Sequence, residues 1–379
     1  MGENGKFVAR LDKALYGCIQ SAKLWFDKLT EVLMGYGFTA NPCDACVMNK
    51  TVNGKQMSVG FHVDDLLITC EDDSIIDDAI AHLRSQFREV KEKKEDTMGY
   101  LGMRISFREN GIYVDMNAYT TKILDEFGVD GNAHTPATED LFNDRDVPLL
   151  SEIDKKCFHS VVAKLLYLAK RTRPDILLTV SHLASRVTVA NQDDMGKLNR
   201  MLRYLNGHKQ MSLHFRRDGD MTLRAYIDAS FAIHSNGTSR TGMVIEFGGA
   251  TVCAWTSKQK MTTKSACEAE LVGLSDGSSE VLGCREFLQH QGYDIGPAII
   301  YQDNTSVLDL VKAGHPTSNR TRHLKARYFF IKDYIDAEEI VLKHMGTEWM
   351  LADYLTKPLC GEKFQRFLEI IIGLVATPA

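Results

Sequence analysis

The sequence lacks any apolar run long enough to cross a membrane. A spanning helix needs about 20 predominantly apolar residues, and the most apolar part of the C-terminal end, residues 370–375, is far shorter. The first residues, Met1 to Lys6, also lack the apolar core of a signal peptide. Together these absences predict an intracellular protein.

The sequence also lacks the paired cysteines of a disulfide framework or a zinc site. Its nine cysteines are scattered, and their odd number suits a reducing compartment, where cysteine serves mostly as a small buried residue. Cys43 and Cys46 form a C-x-x-C, but no second Cys or Cys/His pair lies at zinc-ribbon spacing. Because a closed zinc site needs four ligands, we expect no zinc there.

No large excess of charge of either sign is present. A net charge of −5 argues against a protein that coats nucleic acid along its whole surface. The stretch from Ser151 to Arg217 nevertheless contains 13 Lys and Arg against 5 Asp and Glu, whereas Glu71 to Asp96 contains 9 acids against 5 bases. The first stretch suits either a basic face for a phosphate backbone or an ordinary solvated helix surface, and counting charges does not separate the two.

The chain is long and ordinary in composition. Its 379 residues, 44% hydrophobic and 25% charged, suffice for two or three globular domains. Alternating apolar segments and segments with helical spacing follow one another along it. We therefore predict a multidomain fold of the α+β or α/β class.

Two adjacent acids, Asp64 and Asp65, stand between two apolar runs. This pattern predicts a β-hairpin with both acids at its bend. Acids at a bend are most often solvated turn residues, but two carboxylates on a rigid bend can also bind Mg²⁺. An amphipathic helix with Ser74 as its N-cap should follow, and residues 98–105 and 112–114 should be the two strands of a second hairpin.

Residues 151–210 have helical spacing, interrupted at Pro174. From Met211 onwards, strands and helices alternate in a pattern that predicts a mixed sheet with helices on its faces. Four acids occupy comparable places there, two closing strands and two near helix starts: Asp228, Glu270, Asp303 and Asp353. Each alone would be a cap or turn acid. A buried acid at a strand end is costly unless it is paired or binds a cation, so the set suggests a shared site.

Several blocks together resemble the reverse transcriptase of copia-type LTR-retrotransposon Pol polyproteins. Those in the first third are Ala14-Leu15-Tyr16-Gly17 with Gln20, Ser21 and Trp25, then His62-Val63-Asp64-Asp65, then Tyr100-Leu101-Gly102. The middle adds Lys164-Leu165-Leu166-Tyr167-Leu168-Ala169, Thr172-Arg173-Pro174-Asp175 and Leu202-Arg203-Tyr204-Leu205. The last part resembles the family's ribonuclease H domain through residues 255–259, Glu268-Ala269-Glu270, Asp303-Asn304, Thr321-Arg322-His323 and residues 351–358.

The resemblance implies a reverse transcriptase palm over residues 1–115, a helical thumb or connection over 116–210 and a ribonuclease H-like domain over 211–379. Asp64 and Asp65 match the polymerase acids. Asp228, Glu270, Asp303 and Asp353 match the nuclease acids, each set serving as ligands of two Mg²⁺ ions, with Mn²⁺ as the alternative. Glu268 is two residues from Glu270 in a helix and should point to another face.

Two departures from the family pattern matter. The third polymerase acid should precede residue 14, and Asp12 has no apolar strand leading into it, so we expect no DNA polymerase activity from this chain. His62 replaces a tyrosine and is either a nucleic-acid contact or a packed core residue.

The activity that the resemblance implies is Mg²⁺-dependent hydrolysis of RNA in RNA/DNA hybrids. The alternative is an inactive or co-opted remnant that only binds nucleic acid. The expected partners are nucleic acid and the rest of a Pol polyprotein, without a membrane. The expected location is the cytoplasm, within virus-like particles, or the nucleus, and the oligomeric state is left open.

Overall fold

The structure is a computed structural model that describes residues 15, 17–217, 221–315 and 326–376. Its internal contacts divide the chain into two compact units: residues 1–94 with 290–293, and residues 95–289 with 294–379. Asp12 and the Thr321-Arg322-His323 block lie outside the described residues. Among those described, no helix has both the length and the apolar character needed to cross a bilayer.

The first unit is a small antiparallel sheet covered by two helices. Its elements are α1 Ile19–Gly35, β1 Thr39–Asn41, β2 Asp44–Val52, β3 Lys55–His62, β4 Asp65–Thr69 and α2 Asp73–Gln86. The strands pair in chain order. Alternate side chains of β2 and β3, such as Met48 and Val59, are buried together with Leu29 of α1 and Ile75 of α2, which explains the period-two pattern.

The acid pair lies at the bend of the β3–β4 hairpin, as predicted. The N-cap of α2 was predicted wrongly. Asp72 occupies that position and accepts a hydrogen bond from the Ser74 backbone N–H at 3.0 Å. Both residue types are good N-caps, and the helix begins at Asp73 because the Asp72 carboxylate reaches forward to the N–H of the second helical residue.

The second unit begins with a hairpin sheet and a set of helices. Its first elements are β5 Thr97–Tyr100, β6 Met103–Arg108, β7 Gly111–Asp115, α3 Asn117–Glu126, α4 Glu152–Ala169, α5 Leu177–Ala184, α6 Gln192–Gly207 and β8 Leu213–Arg216. The prediction of one strand over residues 98–105 is wrong. Leu101 and Gly102 turn the chain there with φ of 50° and 79°, a two-residue turn that the glycine makes accessible.

Strand β8 pairs with β7, which completes an antiparallel sheet of order β5-β6-β7-β8. The sequence places β8 about a hundred residues after β7, so no local pattern announces this pairing. In addition, the His214 backbone N–H donates to the Ile372 carbonyl at 2.9 Å. Strand β8 is thereby fixed between the hairpin sheet and the C-terminal end of the described chain.

The mixed sheet predicted from residue 211 onwards is present. Its elements are β9 Arg224–Ser230, β10 Arg240–Phe247, β11 Ala250–Lys258, α7 Ala266–His290, β12 Ala298–Gln302, α8 Thr305–Ala313, α9 Ile331–Asp336, β13 Ile340–His344 and α10 Gly361–Ile371. The strand order is β11-β10-β9-β12-β13, with β9, β10 and β11 antiparallel and β12 and β13 parallel to β9. The fold is therefore mixed α/β with several sheets, which confirms the predicted class.

A buried ion pair ties the helices of the second unit together. Arg173 Nε donates to Asp175 Oδ1 at 2.9 Å, and Arg173 Nη2 donates to Asp175 Oδ2 at 2.7 Å. Arg173 Nη1 donates to the His208 carbonyl oxygen. The Tyr204 hydroxyl donates to Asp175 at 2.8 Å. Arg173 therefore belongs to the core and cannot contribute to the basic face that charge counting suggested.

Two histidines lie buried between α5 and the loop after β9. The His182 and His234 rings stack on each other with centroids 6.3 Å apart, and each meets the Phe142 ring edge to face at 5.2 Å. Arg240 lies over the same phenylalanine. Burial and then nearby cations lower the pKa of His182 to about 3 and that of His234 to about 4. Within the described part of the chain, neither ring nitrogen of His182 has a hydrogen-bond partner.

This histidine pair should make the protein less stable in mild acid. The unfolded chain binds protons at the usual histidine pKa of about 6.5, whereas the folded chain does not, so the free energy of unfolding should fall as pH drops below about 6.5. His182 alone would account for about 2 kcal/mol at pH 5. Urea unfolding from pH 7 to 4 measures this. The His182→Leu variant should show a shallower decline, and an identical decline would contradict the prediction.

Candidate active site

Three of the four predicted nuclease acids converge beside the central strand of the mixed sheet. Asp228 lies in β9, Glu270 lies in α7 and Asp303 directly follows β12. One carboxylate oxygen from each lies within 4.8 Å of the other two. Because β9 and β12 are parallel neighbours, their carboxyl ends meet at one edge of the sheet, and α7 crosses that edge near its first turns.

Glu270 and Asp303 are held in place by one fully buried side chain, Gln302. Its amide nitrogen donates to Glu270 Oε2 at 3.4 Å, and its carbonyl oxygen accepts from the Asp303 backbone N–H at 2.8 Å. Glu270 Oε2 also accepts from the Ala229 backbone N–H at 2.9 Å, next to Asp228 in β9. These bonds hold the Glu270 carboxylate beside β9 and fix the backbone from which the Asp303 side chain projects.

The fourth acid, Asp353, lies in the 3₁₀ helix Leu351–Leu355, ahead of α10, and not in the last helix. It is buried, but its two oxygens are taken by lysines. Lys357 Nζ donates to Oδ1, and Lys363 Nζ donates to Oδ2 at 2.6 Å. Lys357 Nζ also lies 3.6 Å from Asp228 Oδ1. Asp353 therefore adjoins the other three acids through an ammonium group.

Two threonines complete the network. The Thr356 hydroxyl donates to Asp228 Oδ2, and the Thr347 hydroxyl donates to Asp303 Oδ2 at 2.8 Å. Sequence reasoning did not assign roles to Thr347, Thr356, Lys357, Lys363 or Gln302. The signal for two of them was available, since Thr356 and Lys357 lie within the block of residues 351–358 that carries the family resemblance.

The site concentrates negative charge in a poorly hydrated place. Burial, together with the nearby Asp353 carboxylate and against the opposing effect of Lys357, raises the pKa of Asp228 to about 6. Burial and then the charges of Asp228 and Asp303 raise the pKa of Glu270 well above its usual range. Burial opposes the charged form of Lys357, but Asp228 and Asp353 outweigh it and raise the pKa of that ammonium.

The donor set fits a hard divalent cation. Three carboxylate oxygens from separate elements face one point, and oxygen ligands are the ones that Mg²⁺ and Mn²⁺ prefer. With all four carboxylates ionised, the two ammonium groups of Lys357 and Lys363 leave two negative charges in the network. A buried excess of that size is costly unless a cation balances it.

Glu268 does not join this cluster. Its carboxylate accepts from the Lys264 backbone N–H at 2.6 Å and so satisfies a donor that precedes the start of α7. Glu270, two residues further along α7, projects from a different face of the helix and points to Asp228. The helix therefore gives its two nearby glutamates different tasks.

The predicted polymerase acids lie in the first unit, where both Asp64 and Asp65 are exposed. The turn that carries them is tightly made: Val63 has φ of 56°, an uncommon value for a β-branched residue, and its carbonyl accepts a 2.6 Å hydrogen bond from the Trp25 indole. Among the described residues, no third acid joins them in a metal-binding group. His62 is exposed, so the packed-core alternative for it is wrong.

Comparison with known proteins finds a family model and a solved structure that are similar to different parts of the chain. Residues 1–139 match the family model described as reverse transcriptase (RNA-dependent DNA polymerase). A solved ribonuclease H1 isolated from compost by a metagenomic approach is 17% identical, covers 39% of this chain and 99% of its own, and superposes with a TM-score of 0.29. By sequence, residues 1–139 are therefore similar to reverse transcriptases.

The curated relatives are more particular. The Retrovirus-related Pol polyprotein from transposon RE2 of Arabidopsis thaliana is 29% identical over 377 residues, which is 98% of this chain and 25% of that polyprotein. The corresponding polyprotein from transposon TNT 1-94 of Nicotiana tabacum is 27% identical over 96% of this chain and 28% of its own length. The chain is a relative of copia-type retrotransposon Pol polyproteins and spans about a quarter of their length, which confirms the resemblance drawn from its motifs.

Proposed function

We propose that the second unit hydrolyses the RNA strand of RNA/DNA hybrids with the help of divalent cations, Mg²⁺ foremost. The observation that carries this proposal is the convergence of carboxylate oxygens from Asp228, Glu270 and Asp303 within 4.8 Å. Bound cations would activate a water molecule and neutralise charge on the scissile phosphate. With such a donor set, no covalent nucleophile from the protein is required.

The chain's own residues have distinct tasks in this scheme. Asp228, Glu270 and Asp303 would bind the cation directly, since their oxygens face one point. Gln302 and Thr347 are positioning residues that hold Glu270 and Asp303. Such support keeps ligands within the few tenths of an ångström that catalysis demands.

A surface suited to the nucleic-acid backbone exists at the end of α4. The Arg171 guanidinium lies 3.7 Å from the centroid of the Tyr167 ring, and both residues are exposed, as is Lys170. An exposed aromatic ring stacked with an arginine, next to further positive charge, supports contacts to phosphates and bases. Other lysine and arginine side chains of the Ser151 to Arg217 stretch already form ion pairs within the protein, for example Arg186 with Asp194 and Lys197 with Asp193.

The direct test is incubation of the purified chain with an RNA/DNA hybrid and Mg²⁺. We expect cleavage of the RNA strand, with single-stranded RNA and duplex DNA left intact as comparison substrates. Binding of the hybrid without cleavage would favour the alternative of an inactive or co-opted remnant that only binds nucleic acid. The match of Asp64 and Asp65 to the polymerase acids, the lack of DNA polymerase activity, the three-domain division and the intracellular location stay predictions.

Divalent cations should stabilise the folded chain. A ligand that binds only the native state adds about 2.7 kcal/mol at a hundred times its Kd, which corresponds to a rise of several degrees in Tm. We expect this rise with Mg²⁺ and expect it to vanish in Asp303→Asn, where one of the three converging oxygens loses its charge. The exposed Asp309→Asn change on α8 is the matched control and should keep the rise. A rise that persists in Asp303→Asn would argue against cation binding at the cluster.

A further inference from the structure

Lys357 stands between two of the four acids in a way that the proposed nuclease function does not by itself require. Its ammonium is hydrogen-bonded to Asp353 Oδ1 and lies 3.6 Å from Asp228 Oδ1. The side chain is 41% exposed, so the ammonium can leave the acids without unfolding anything, whereas Asp228 and Asp353 are buried and cannot follow it. The acids are therefore fixed and the positive charge is movable.

The carboxylates fall into two groups in consequence. One group is Asp228 with Glu270 and Asp303, whose three oxygens converge. The other is Asp228 with Asp353, and the Lys357 ammonium contacts both of these acids. A divalent cation at that second position would need the same oxygens that Lys357 contacts, and the ammonium and the divalent cation would repel each other there.

We propose that Lys357 is a built-in competitor for a divalent cation at the position between Asp228 and Asp353. This inference deepens the proposed function and rests on it for the identity of the ligand, a hard divalent cation. The position formed by Asp228, Glu270 and Asp303 takes a cation while the ammonium stays on Asp353. The Asp228–Asp353 position accepts one only after the ammonium has swung towards solvent, so two cations bind with unequal affinity.

Lys363 holds Asp353 in place while the Lys357 ammonium moves. It holds Asp353 Oδ2 at 2.6 Å and also donates to the Thr347 carbonyl at 3.0 Å, while Thr347 holds Asp303. Asp353 therefore keeps its place when Lys357 departs, because its other oxygen remains bonded. The free oxygen is then ready to receive a cation.

The test is a titration of the purified chain with Mn²⁺, without nucleic acid, in which electron paramagnetic resonance reports the free ion. The wild type should bind one ion, then a second at least tenfold more weakly. Lys357→Met should tighten the second step at least tenfold and leave the first nearly unchanged. Lys122→Met, which removes an exposed positive charge of α3 distant in sequence from the acids, is the matched control and should behave as wild type.

A second variant separates competition from a structural effect. In Lys357→Met combined with Asp353→Asn, the gain in second-step affinity should disappear, because the position has lost one of its acids. A second step that is unchanged or weaker in Lys357→Met, or that is equally tight in the wild type, would overturn the proposal. Because nucleic acid takes no part, unequal binding in a chain that cleaves no hybrid would contradict the nuclease function while supporting the role of Lys357.

Discussion

Asp228→Asn should reduce cleavage of the RNA strand of an RNA/DNA hybrid by about a thousandfold. Asp228 offers oxygens both to the cluster with Glu270 and Asp303 and to Lys357, so its charge serves every arrangement of cations that the acids permit. Loss of a cation ligand removes several kcal/mol of stabilisation of the developing charge, and about 4 kcal/mol corresponds to a thousandfold in rate. The measurement is the initial rate of cleavage of a labelled hybrid in Mg²⁺.

The folded state of this variant should survive. Asparagine has nearly the same shape as aspartate, and its amide oxygen can still accept from the Thr356 hydroxyl. The substitution also removes a buried carboxyl group whose pKa is raised to about 6. We expect a Tm without Mg²⁺ equal to or above that of the wild type. Asp309→Asn, an exposed acid of α8, should cleave at the wild-type rate. Wild-type cleavage by Asp228→Asn would end the nuclease assignment.

Asp175→Ala should destabilise the second unit by about 3–5 kcal/mol. The substitution leaves the Arg173 guanidinium, whose side chain is only 1% exposed, without its carboxylate partner. The Tyr204 hydroxyl also loses its acceptor. A buried charge without a counter-charge costs far more than the net gain from the intact pair, which is why removal of one partner has so large an effect.

Removal of both charges should be much milder. In Arg173→Met with Asp175→Leu, apolar side chains fill the same space, and we expect recovery of most of the lost stability. Hydrogen exchange of peptides from α5 and α6, read by mass spectrometry, follows this region without interference from the first unit. If the single and double variants were equally unstable, the charge argument would be wrong and shape complementarity would dominate.

The parts of the site that sequence reasoning could find are those with a local signature. An acid that ends or nearly ends an apolar strand is conspicuous, so Asp228 and Asp303 could be singled out, and helical spacing separated Glu270 from Glu268. The bend at Asp64 and Asp65 was recognisable for the same reason. In each case the decisive information lies within a few residues of the side chain concerned.

The remaining parts depend on contacts between distant segments. Arg173 counts as a surface charge in the sequence, yet it is buried because Asp175 and the His208 carbonyl satisfy it. In the sequence, Lys357 and Lys363 have the character of ordinary solvated residues, whereas in the fold both donate hydrogen bonds to Asp353 of the 3₁₀ helix. The turn at Leu101 and Gly102 was overlooked because the apolar pattern continues on both sides of it.

The pairing of β8 with β7 has a consequence for how this chain can be divided in the course of evolution or by a protease. The core that includes Leu165 of α4 also contains Tyr226 of β9 and Phe367 of α10, so the helices and the mixed sheet share one interior. A division of the chain between β7 and β8 would remove β8 from the sheet. The backbone N–H and C=O groups of β7 that face β8 would then be unpaired and could pair with other chains. The mixed sheet and its helical neighbours therefore form one structural unit that such a division would break.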